Sequence, residues 1–155
     1  MHDDPTLCYN TLARCARGRG VPGESVTGGE NGSVVINELH AALSTTIMYY
    51  MLACGLWGLF SAFRGGMGGS LAGALVIGQG LIVVQGLLGG LSFALGSRAA
   101  EGGLHYLYGV SALITLPGIY GYTRGRSSAT QALWFGGGAL FIVGLAIRGT
   151  TTGGF

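Results

Sequence analysis

Between Leu39 and Ile147 the chain carries only five formal charges, Arg64, Arg98, Glu101, Arg124 and Arg126, and these cut it into four uncharged segments. Each segment is long enough to cross a bilayer, which takes about 20 apolar residues. The segments run from about Glu38 to Phe63, Gly69 to Gly96, Leu104 to Thr123 and Ser128 to Ile147. A soluble domain carries roughly 25% charged residues, whereas this chain has 9%, with 49% hydrophobic residues and a mean hydropathy of +0.53. The expected fold is all-α: a polytopic membrane protein with four transmembrane helices. Short connections make neighbouring helices antiparallel, and an up-down bundle follows.

The basic residues are all arginine and stand one or two per loop, so no nucleic-acid footprint is present. No serine, histidine and carboxylate converge as a hydrolytic site would require. Glycine runs such as "GGMGGS" lack the strand context of nucleotide sites. A transporter is disfavoured by the short chain, the lack of internal inverted repeats and spans without buried charges. Cys54 reads as a small packing residue; Cys8 and Cys15 match neither a redox nor a haem-attachment spacing.

Residues 1–36 hold Pro5, Pro22, many glycines and mixed charges without a hydrophobic period. They read as a flexible tail and equally as the product of a start codon assigned too far upstream; no apolar core marks a signal peptide. The transmembrane domain is expected over 37–150, with a polar end at 151–155. Pro117 predicts a local kink in the third span, tolerated where neighbours re-satisfy the freed carbonyl. Arginines in the first and third loops (Arg64, Arg124, Arg126) slightly outweigh those on the other side, Arg98 and Arg148, with Arg17 and Arg19 at the margin. The positive-inside rule thus leans toward both termini outside a prokaryotic plasma membrane.

The chain has 32 glycines, well above the usual ~7%. Gly86 and Gly90 form a G-x-x-x-G, and Gly136 to Gly138 thin the fourth helix; small residues let membrane helices approach closely. That accounts for the glycines but leaves two histidines. His40 opens the first span and His105 the third, and in an up-down bundle these helices are parallel, so both imidazoles lie at one end and at one depth. One turn below them stand Ser44 and Gly109, which leaves a recess beside each ring.

With Asn37 as N-cap and Glu38 beside it, His40 falls in a first helical turn, as does His105. The positive helix end there favours the neutral imidazole that ligates metals. A haem b iron with His40 and His105 as axial metal ligands is the expected cofactor, with Arg98 able to pair with its propionates. Zinc lacks further converging ligands apart from Glu38. The bland alternative is two interfacial histidines bonded to water or headgroups.

"QGLLGGLS" (Gln85 to Ser92), followed by a histidine opening the next helix, resembles the heme A synthase family, in which a Q-x-x-L-G-G-x-T-type helix precedes a haem-ligating histidine. "NELHAAL" around His40 resembles that family's E-x-x-H-R helix start, although Glu38 stands two residues before His40 rather than three and Ala41 replaces the arginine. The resemblance covers roughly residues 37–123 and implies His40 and His105 as axial ligands, with Gln85, Gly89 and Gly90 beside the macrocycle. Members of that family have two four-helix halves, and this chain has the length of one. Oxidation of a haem methyl group, the family's reaction, is therefore in question. A homodimer across a two-fold axis, or haem binding and electron transfer alone, are the expectations. The competing expectation is a non-catalytic accessory subunit of a larger respiratory or photosynthetic membrane complex.

Overall fold

A computed structural model describes residues 28–96, 102–124 and 126–153. Among these residues the chain is all helical, with α1 Gly28–Arg64, α2 Gly69–Ala94, α3 Gly102–Thr123 and α4 Ser128–Gly153. Gly32–Phe155 forms one unit, and the contacts and cavity discussed below lie within it. Three helices are long and apolar enough to cross a membrane: α1 over Val34–Arg64, α2, and α4 over Ser128–Thr152. In α3 the apolar run is diluted by Tyr106 and Tyr108 near one end, Tyr120 and Tyr122 near the other, and Pro117 between them. Large apolar side chains point outward on every helix, among them Phe60, Val76, Ile77, Ile114 and Phe141. So much exposed apolar surface on a monomer marks a surface made for lipid or for partners.

Contacts between neighbours show antiparallel packing. On α1 and α2, the Tyr50 hydroxyl donates to the Ala74 carbonyl at 2.9 Å, and nearer the other end Gln85 meets His40. On α3 and α4, Gln131 donates to the Thr123 carbonyl at 3.3 Å while His105 meets Gly149. The core lies along the shared axis, where Met51, Leu71, Ile82, Leu116, Ala139 and Ile142 are buried. Gly78 makes room for Met51, since a Cβ there would lie 2.5 Å from Met51 Cε. α1 and α4 approach backbone to backbone: a Cβ on Gly58 would lie 2.8 Å from Gly136 Cα. At that crossing no residue larger than glycine fits without moving a helix.

Two boundaries differ from the sequence expectation. α1 begins at Gly28 rather than at an Asn37 cap, so 28–36 is helical instead of tail. The reason is visible at Asn37, whose Oδ1 accepts the Ser92 hydroxyl of α2, while Val34 to Ile36 extend the apolar span upstream. α4 likewise continues past Arg148 to Gly153. There Thr150, Thr151 and Thr152 hydroxyls donate to the Ile147 and Arg148 carbonyls, satisfying acceptors that a fraying last turn would expose. The turn after α1 depends on Gly65 and Gly66, both at positive φ (135° and 96°), where a side chain would be strained.

α3 runs through Pro117. Proline has no N–H, so the carbonyl four residues earlier, that of Leu113, loses its helical donor. The Gln79 amide of α2 supplies one, at 3.0 Å. In lipid no water could do so. Gln79→Leu is expected to lower unfolding stability in detergent by about 1–2 kcal/mol. In the double variant with Pro117→Ala, which restores the missing N–H, most of that loss disappears; equal losses in both backgrounds would refute the pairing.

Candidate functional site

His40 faces inward from α1 and is buried, and His105 comes from the first turn of α3. α1 and α3 are parallel because each runs against α2. The ring centroids stand 6.0 Å apart with their planes at 53°. Two imidazole nitrogens, each about 2.0–2.1 Å from one shared metal ion, place their ring centroids roughly 6 Å apart. The pair has the centroid spacing such an ion would need, one that His105 also has to Tyr106.

Hydrogen bonds settle which nitrogen each ring presents. Gln85 Nε2 lies 3.0 Å from the His40 carbonyl and 3.3 Å from His40 Nε2. A carbonyl only accepts, so the Gln85 atom is the amide nitrogen, and its second hydrogen points to a ring nitrogen that must accept. His40 thus carries its proton on Nδ1. His105 Nδ1 lies 3.1 Å from the Gly149 carbonyl and must donate to it, so it too is protonated there. Both rings keep Nε2 as the basic nitrogen, the form in which neutral imidazole binds metals. A carbonyl partner on Nδ1 is also the usual outer support of a ligating histidine.

The two rings share a cavity of about 720 Å³, within the 300–1,000 Å³ usual for ligand sites. It is amphipathic along its length. Asn37, Ser92 and Thr150 line one end, whereas Ile47, Ile82 and Ile142 line the other. Ser44 and Gly109, the small residues one turn from each histidine, line it as well.

The glycines fall into two kinds. Gly89 seats the histidine: a Cβ there would lie 3.1 Å from His40 Cε1. Gly86, Gly90 and Gly109 line the cavity, and a Cβ on any of them would meet nothing within 4 Å. Close helix packing therefore explains Gly58 and Gly136 but not these three. Gln85 adds an unusual feature, because its Oε1 is buried and has no hydrogen-bond partner among the described residues. An acceptor left so costs about 1–3 kcal/mol.

Of the residues singled out in the sequence, His40, His105, Gln85, Gly89 and Gly90 come together around this cavity. Arg98 lies outside the described residues. One argument is corrected: α1 begins at Gly28, so His40 sits in the helix interior, and the favourable first-turn position belongs to His105 alone. Among the described residues no group of three or more His, Cys, Asp or Glu could hold a metal ion, so a metal bound by this pair would take its remaining ligands from outside these residues. Sequence reasoning missed α4, which supplies the Gly149 carbonyl, Thr150 and the Ile142 wall. A register count would have found it: with Thr123 opposite Gln131, counting back along α3 reaches His105 opposite Gly149. No protein-family model, curated protein or solved structure matches this chain.

The two kinds of glycine should separate experimentally. Gly86→Ala and Gly90→Ala relieve a helix penalty of about 0.8–1.0 kcal/mol each and are expected to raise the thermal midpoint of ligand-free protein. Gly89→Ala, which crowds the His40 ring, is expected to lower it. Uniform destabilisation in thermal scans would show that all three glycines serve helix packing.

Proposed function

We propose that the chain is an integral membrane protein whose four helices all cross the bilayer as an up-down bundle, and that it binds a b-type haem between His40 and His105. Its role on this reading is electron transfer or haem-related assembly, without independent catalysis. The observation that carries the reading is the pair of inward imidazoles, 6.0 Å between centroids, each with Nε2 as its basic nitrogen, beside glycines whose missing side chains leave space.

Haem, when bound, supplies one-electron redox chemistry; the protein's own groups account for everything else. His40 and His105 would hold the haem iron. The Gly149 carbonyl holds the His105 ring and its tautomer. Gln85 grips the His40 carbonyl, and its contact with His40 Nε2 would give way if that nitrogen held a metal. Gly86, Gly90 and Gly109 leave flat wall on either side. Asn37, Ser92 and Thr150 form the polar end suited to propionates, and Arg98 is proposed to pair with their charge. The apolar end excludes water.

The resemblance to one half of a heme A synthase rests on "QGLLGGLS" and the helix opened by His105, and it points to the same two ligands. Self-association across a two-fold axis would restore the two-half plan. Tyrosines near both ends of α3 fit interfacial belts and support a membrane-spanning α3. Arg64 over Phe60 and Arg126 over Tyr122 mark the end proposed to face the cytoplasm, leaving both termini outside, in a prokaryotic plasma membrane.

Protein purified from haem-replete cells is expected to show a Soret band and sharp reduced bands, as two axial histidines would give. His40→Ala or His105→Ala should abolish them without preventing membrane insertion. A colourless wild-type protein that co-purifies with a large complex and tolerates both substitutions would favour the accessory-subunit reading instead.

A further inference from the structure

The cavity is walled unevenly. On α1 and α4 no lining residue is exposed, with His40 at 7% and Ile142 at 1%. On α2 and α3, Ile82 is buried but other lining residues lie on the outside, Leu87 at 69% and Val110 at 57%. These two helices pack far less extensively on each other than α3 does on α4. Their seam is clasped at two places only among the interactions described: Gln79 on the Leu113 carbonyl, and Phe93 edge-on to Tyr106 at 5.6 Å.

From Gln79 to Phe93 is about 20 Å along the helix at 1.5 Å per residue. Within that length α2 presents Gly86 and Gly90, and α3 presents Gly109, all with nothing where a Cβ would stand. At these three positions no side chain fills the seam between α2 and α3. The seam runs past outward-facing Val83, Leu87 and Val110 and reaches the polar end at Phe93, next to Ser92.

The geometry points to a lateral window between α2 and α3 through which the cavity opens to the lipid phase, so that its flat ligand loads sideways from the bilayer. Identifying that ligand as haem rests on the function proposed above; the window itself does not. A flat molecule with one polar edge dissolves in a bilayer with that edge at the headgroups. It can slide between the helices edge-on, its polar edge passing toward Asn37, Ser92 and Thr150 and its apolar edge toward Ile47 and Ile142. The bound ligand would then keep one apolar edge in contact with lipid, which fits glycine rather than a side chain at 86, 90 and 109.

Two measurements on the full chain in phosphatidylcholine vesicles test this. In the first, haem-free protein is reconstituted with a phospholipid bearing a diazirine on its acyl chain and irradiated. Cross-links are expected on the cavity floor, at Ile47 and Ile142, as well as on the rim. Cross-links confined to outward residues such as Leu87, or copies of the chain joined to one another through Leu87 and Val110, would overturn the window. In the second, haem dissolved in donor vesicles is mixed with reconstituted protein and the Soret band is followed. Leu87→Trp and Val110→Trp add bulk at the rim without touching a histidine. They are expected to slow uptake several-fold with the same final amplitude; uptake at the wild-type rate would overturn sideways loading. If wild-type protein takes up no haem while the cavity floor is labelled, the haem reading falls and the window stands.

Discussion

The Gln85 amide donates one hydrogen to the His40 carbonyl and the other to the His40 ring, and much of the bundle's character follows from that kind of contact. In a lipid surround, backbone acceptors must be satisfied from within the protein. For the Leu113 carbonyl, freed by Pro117, Gln79 of the neighbouring helix does it. Tyr50 on the Ala74 carbonyl and His105 on the Gly149 carbonyl add donors across other helix pairs. Each contact fixes the register of a helix pair at one point, something a continuous apolar interface cannot do, since one ridge of leucine and valine fits another at several offsets. The histidines owe their positions to two of these contacts, so the register of the bundle and the geometry of the site are the same set of bonds.

Glycine plays opposite parts at the two ends. Where Gly58 faces Gly136, the missing side chains let backbones touch, and a Cβ would collide at 2.8 Å. Where Gly86, Gly90 and Gly109 line the cavity, they hold the helices' side chains back from a space that neighbouring residues do not fill. Tight packing at the α1–α4 crossing pins one side of the bundle, which lets the α2–α3 seam stay open without the four helices coming apart. A bundle loose on every side would collapse into its own cavity.

The four helices were legible because charge is so scarce that Arg64, Arg98, Arg124 and Arg126 act as punctuation. The common level of His40 and His105 was legible too, since short loops and antiparallel neighbours leave few alternatives. The start of α1 was not. Asn37 has the chemistry of a helix cap, and only the position of Ser92 on a different helix shows that its side chain is committed elsewhere. Gln85's double contact depends on the rotation of α2 about its own axis, which the near-uniform apolarity around that helix does not reveal. The hydroxyls that prolong α4 bond within a turn and were in principle readable, but a run of threonines reads first as a polar end.

The cavity also bears on what kind of protein this is. Contacts within the chain do not require glycine at 86, 90 and 109, because alanine at any of them would meet nothing within 4 Å and would strengthen its helix. The buried Gln85 Oε1 likewise has no partner among the described residues. Both features cost stability in the isolated protein, and both occur elsewhere as well, at Gly73, Gly80, Gly118, Gly121, Gly137 and Gly144 and at the buried Gln79 Oε1. What Gly86, Gly90, Gly109 and Gln85 share is that they line the cavity that holds the two imidazoles. A polar rim grading into an apolar floor suits an amphipathic occupant, and the haem proposed above is one such molecule.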